Sequence, residues 1–75
     1  MNEEIIKAYE KLKNEFPNSH VAISIIMERF SSNTEKISYS AYVGRFDKCR
    51  ISGEFIDINK AVNTVIEKMK GDNEL

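Results

Sequence analysis

The spacing of apolar residues changes period twice along this chain, and the two changes constrain which elements it can build. Up to residue 16, Ile5, Ala8, Tyr9, Leu12 and Phe16 recur at helical spacing. From His20 the pattern alternates: Val21, Ile23, Ile25 and Met27 fall on one side of an extended chain. Ala22, Ser24, Ile26, Glu28 and Phe30 fall on the other. Helical spacing returns with Ile58, Ala61, Val62, Val65, Ile66 and Met69. Such a pattern predicts a helix, a run of strands and a second helix.

Local signals place the boundaries. Asn2 suits the N-cap of the first helix, Glu3 and Glu4 suit the positive end of its dipole, and Pro17 closes it. Glu3, Lys7, Glu10, Lys11 and Asn14 form the solvated side, with Glu3 and Lys7 spaced as an ion pair. After the turn Pro17-Asn18-Ser19, a β-branched stretch predicts a strand from His20 to Phe30. Ser31 to Glu35 reads as a polar loop, and a second strand follows from Lys36 to Phe46. Ile37, Tyr39, Ala41 and Val43 lie on one side of it; Ser38, Ser40, Tyr42, Gly44 and Phe46 lie on the other.

The third strand spans about Arg50 to Phe55, with Ile51, Gly53 and Phe55 as its inward candidates. For Ile51 to share a face with Val43, the connection needs an odd number of residues. Asp47-Lys48-Cys49 is expected to be that loop, placing Phe46 opposite Arg50. A two-residue turn would instead send Ile51 and Phe55 to the other face. Asp57 then caps the second helix, Lys68 and Lys70 stand at its negative end, and Gly71 suits the position just past it.

The expected fold class is therefore α+β. It is a two-layer α-β-β-β-α domain in which a three-stranded antiparallel sheet carries both helices on one face. Residues 1–71 form the single expected domain and 72–75 a flexible tail.

At 75 residues the chain is near the lower limit for folding without a staple. Its one cysteine, Cys49, excludes an internal disulfide and fits a reducing cytoplasm, the expected location. The acidic start Met1-Asn2-Glu3-Glu4 is unlike a signal peptide, and no apolar run is long enough for a membrane helix. A formal net charge of −1 gives neither the basic excess of a typical nucleic-acid binder nor the acidity of a DNA mimic.

Catalytic chemistry has few candidates. A nucleophilic pair would have to join Cys49 to the single histidine, His20, and would need a further group to orient the imidazole. No cluster has the ligand spacing of a zinc site, and Gly44, Gly53 and Gly71 stand apart rather than in a phosphate loop. The expectation is a non-enzymatic protein with no cofactor and no metal.

The sheet face away from the helices is the candidate site. Serines and charges there suit water, but Ile26, Phe30, Tyr42 and Phe46 are large apolar side chains on the same face. Lys48 and Arg50 would stand at their rim. Apolar anchors ringed by charge suit a protein contact, with a host protein or with a second copy packing its open face against the first. A nucleic acid is the alternative partner, its bases stacking on the aromatics and its phosphates meeting Arg45, Lys48 and Arg50.

Two resemblances bear on this reading. The order αβββα is similar to that of the double-stranded RNA-binding domain over nearly the whole chain. The chain departs from that family where its lysine-rich helix start would stand, at Asp57-Ile58-Asn59-Lys60-Ala61-Val62. The loop Ser31 to Glu35 also lacks the family's Gly-Pro-His character. In size, style and Lys/Ile/Asn/Glu-rich composition the chain resembles the small accessory proteins of bacteriophages and mobile elements, anti-CRISPR proteins among them. That resemblance implies an inhibitor that binds a host defence protein and blocks it sterically.

Overall fold

The computed structural model describes residues 3–45 and 48–73. Helix α1 spans Glu3–Glu15, strand β1 His20–Ser31, strand β2 Thr34–Arg45, strand β3 Lys48–Ile51 and helix α2 Ile58–Asn73. The strands form one antiparallel sheet in the order β1-β2-β3. This is the expected α+β domain. Asn2, the expected cap of α1, lies outside the described residues.

Both helices cover one sheet face. Ala8, Leu12 and Phe16 of α1 join Ile58, Ala61, Val62, Val65, Ile66 and Met69 of α2 over Ala41 and Val43 of β2. Val21, Ile23, Tyr39 and Phe55 pack around that cluster, so β1 and β2 contribute their odd-numbered side chains to the core. Every residue of the α2 stripe is buried. Tyr9, expected in the α1 stripe, is 39% exposed, and Lys13 lies 5.1 Å from its ring centroid.

The helix ends follow from side-chain hydrogen bonds. The Asn59 N–H donates to the Asp57 carboxylate at 2.8 Å, and the Ala61 N–H to the Asp57 carbonyl at 3.2 Å, which makes Asp57 the N-cap. Gly71 was expected beyond the end of α2, but the helix runs on to Asn73, two residues further. Besides this packing, hydrogen bonds tie the helices together: Lys11 Nζ donates to Asn63 Oδ1 at 2.7 Å, and Asn59 Nδ2 to Glu4 Oε1 at 3.3 Å.

The hairpin joining β1 and β2 is tighter and longer than expected. Ser31 pairs with Thr34, leaving Ser32 and Asn33 as the turn. The register shifts between Arg29 and Ser31, so Phe30 stands at a bulge.

The second connection corrects an expectation. Arg45 pairs with Lys48, Gly44 with Cys49, Val43 with Arg50 and Tyr42 with Ile51. Two residues, 46 and 47, therefore lie between the strands, not three. Ile51 shares the face of Tyr42, away from the helices, and is 56% exposed.

Phe55 nonetheless reaches the core. It pairs with Tyr39, whereas the β3 register carried forward would bring Glu54 there. One extra residue is accommodated at Ser52-Gly53, where Gly53 has φ +88°. This is a β-bulge, and it reverses the facing of the chain between Ile51 and Phe55. Ser52 fills the gap in the ladder: its N–H donates to the Ala41 carbonyl at 2.9 Å, and its Oγ accepts the Ala41 N–H at 2.9 Å. The same hydroxyl donates to the Gly53 carbonyl at 2.6 Å.

Candidate apolar interaction surface

A strand lengthens by about 3.3 Å per residue and a helix by 1.5 Å. The 12-residue β1 is therefore roughly 40 Å long, while the 13-residue α1 spans about 20 Å. The helical layer cannot cover the whole hairpin. The third strand does not reach its far half either, since pairing on that side of β2 ends at Tyr39. Beyond Tyr39 and Ile25 the sheet continues as a two-stranded ribbon, and the molecule measures 46 × 25 × 17 Å.

The ribbon leaves large apolar side chains uncovered on the helix side. Ile25, Met27 and Ile37 all belong to the alternating set expected in the core, yet they are exposed, Met27 at 74%. Their parity is as expected, but α1 flanks only Ile25 and leaves it half exposed, while Met27 and Ile37 lie further out along the ribbon. Nearer the core, Ile5, Ile6 and Tyr9 of α1 and Ile23 and Ile25 of β1 line an open apolar groove of about 240 Å³. Ile6, Tyr9, Ile25, Met27 and Ile37 thus form a band from the flank of α1 out along the ribbon.

The residues expected on the opposite face are spread out. Ile26 is half-buried opposite Ser38, and Tyr42 is half-buried opposite Ala22. Four residues of strand, about 13 Å, separate their positions along the sheet, with Ser24 and Ser40 between. Phe30 is exposed at the ribbon tip, and Lys48 is exposed at the other end of the sheet. Phe46 lies outside the described residues. Arg50 was expected on this open face, but its pairing with Val43 puts it on the helix side. Glu54 does reach the open face, where its carboxylate accepts a hydrogen bond from Ser38 Oγ at 3.3 Å.

The histidine and cysteine are not brought into a dyad. Both pair with Gly44 from opposite sides, so β2 runs between them. The space above Gly44 is taken by Tyr42: a Cβ there would stand 2.5 Å from the tyrosine hydroxyl oxygen. The His20 ring meets the Tyr42 ring edge-on, with centroids 5.3 Å apart. Gly44→Ala should displace Tyr42 and change stability by less than about 1 kcal/mol, since the close atoms are the far end of the Tyr42 side chain and not backbone. Chemical shifts of the His20 ring report the displacement, and unchanged shifts would refute it.

Among the described residues no group of three or more His, Cys, Asp or Glu side chains could hold a metal ion. No helix is long and apolar enough to cross a membrane. No protein-family model, curated protein or solved structure matches the chain. The sequence signal for the band was the mismatch in length between α1 and β1, together with Ile6 standing off the helical stripe.

Proposed function

We propose that this chain is a non-enzymatic protein-binding module acting in the cytoplasm, and that it binds through the apolar band on α1 and the projecting ribbon. The observation that carries this reading is the exposure of Ile25, Met27 and Ile37 side by side on one sheet face, from the flank of α1 out along the ribbon. Exposed apolar surface that is contiguous marks contact sites far more often than scattered single residues do. Protein binding fits better than nucleic-acid binding. Arg50 points to the helix side, while Glu28 and Glu54 share the open face with the half-buried Tyr42. The finer role implied by the phage resemblance, steric blockade of a host defence protein, would use the same band as its contact.

Replacing Met27 and Ile37 together by serine tests the proposal. Both side chains are exposed, so the circular dichroism and melting curve should stay close to those of the parent. Binding to the protein partner should weaken at least about tenfold, as loss of apolar anchors does. Capture from bacterial lysate with the parent chain should survive nuclease and moderate salt. Capture lost on nuclease treatment, or falling steeply with salt, would move the function to nucleic acid.

A further inference from the structure

The strand that carries Ile25 and Met27 of the band also forms an edge of the sheet. The backbone bonds of β2 show which groups of β1 are left over. Tyr39 exchanges both backbone hydrogen bonds with Phe55, and the Ala41 carbonyl accepts from Ser52, so the odd residues of β2 bond toward β3. Its even residues therefore bond toward β1, where they meet His20, Ala22, Ser24 and Ile26. It follows that Val21, Ile23, Ile25 and Met27 direct their N–H and C=O groups to the outer edge. Among the described residues that edge has no neighbouring strand. From Val21 to Met27 it is rich in β-branched residues and free of proline, charge and bulge, the devices that usually blunt such edges; the bulge at Phe30 and the charges of Glu28 and Arg29 lie beyond that stretch.

The sequence of this edge is complementary to its own reverse. About Ser24, apolar residues stand symmetrically: Ile23 and Ile25, Ala22 and Ile26, Val21 and Met27. The next pair outward is His20 and Glu28, a ring N–H donor and a carboxylate acceptor. We propose that a second copy of this chain is the partner of the apolar band. The two β1 strands pair antiparallel about a two-fold axis at Ser24, making one six-stranded sheet. The inference rests on the protein-binding reading and names its partner.

In this arrangement Ile23 of each copy lies opposite the partner's Ile25, and Val21 opposite the partner's Met27. Each His20 faces the partner's Glu28. The odd residues exchange the backbone bonds left open at the edge, and the even residues, Ser24 among them, form the non-bonded pairs. The groove between α1 and β1 falls beside the axis, so Ile6 and Tyr9 of both copies face one another there.

The surface area agrees with a missing partner. A compact monomer of 8.6 kDa exposes about 4,700 Å², and this chain exposes 5451 Å². The excess of roughly 750 Å² is close to the ~800 Å² that each side of a standard specific interface buries. The radius of gyration, 13.4 Å, likewise exceeds the ~11 Å expected for 75 residues in a compact domain.

Light scattering on the full chain over a range of concentrations should give twice the chain mass. Ile25→Lys, which places a charge at an exposed edge position, should return it to a single chain mass with the melting curve retained. A Ser24→Cys, Cys49→Ser variant should cross-link to dimer under mild oxidation, since a non-bonded antiparallel pair brings the Cα atoms to about 4.5 Å. In hydrogen exchange the Ile23 and Ile25 amides should be protected although they point to the outer edge, away from β2. A single chain mass at every concentration, with those amides exchanging freely, would overturn the proposal. Should nuclease-resistant capture of another protein persist in that case, the protein-binding reading would stand and the edge would belong to a foreign strand. A dimer that neither cross-links at residue 24 nor responds to Ile25→Lys would equally overturn it.

Discussion

Leu12→Ala should lower the unfolding free energy by about 3 kcal/mol and the melting temperature by more than about 10 °C. Leu12 is fully buried where α1 meets α2 and the sheet, and it belongs to the one core cluster described. Truncation removes its transfer free energy and leaves a cavity that two packed helices cannot close. A 75-residue domain has a total stability of only about 4–11 kcal/mol. The variant should therefore sit close to half-unfolded at a temperature the parent tolerates. Calorimetry of the two proteins side by side decides it. A loss below about 1 kcal/mol would mean that α1 is not docked as described.

The bulge after β3 is the second site of large expected effect. Ser52→Ala should cost about 2 kcal/mol, because it removes the acceptor of the N–H of the fully buried Ala41. Exchange at the Ala41 amide should accelerate in step with the loss of stability. Gly53→Ala should cost about 1–2 kcal/mol through φ +88° alone, since nothing lies within 4 Å of the added methyl group. If both variants are as stable as the parent, the chain passes from Ile51 to Phe55 by some other route.

That bulge also shows where sequence reasoning stopped. The inward face of α2 was legible in full, because a helical stripe and an Asp cap are local signals. The parity of the third strand was not. Alternation ties Ile51 to Phe55 only while the strand is regular, and one inserted residue separates them. Gly53 beside Ser52 was the available clue, and it reads equally well as close strand packing. The candidate site suffered from a different omission. Ile25, Met27 and Ile37 were assigned to the right face, but alternation says nothing about how far the covering helix extends. Comparing element lengths would have separated the covered half of the hairpin from the bare half.

The ribbon has a property that the three-stranded part lacks. Among the described residues of one chain its strands pair with each other alone, so beyond Glu28 and Lys36 residues can be removed from or added to each arm without disturbing the core register. Side chains keep their faces when each arm changes by two residues, and each such step alters the reach by about 7 Å. The domain thus has an adjustable span: variants with a longer or shorter arm would keep the same folded base while touching a partner at a different distance from it.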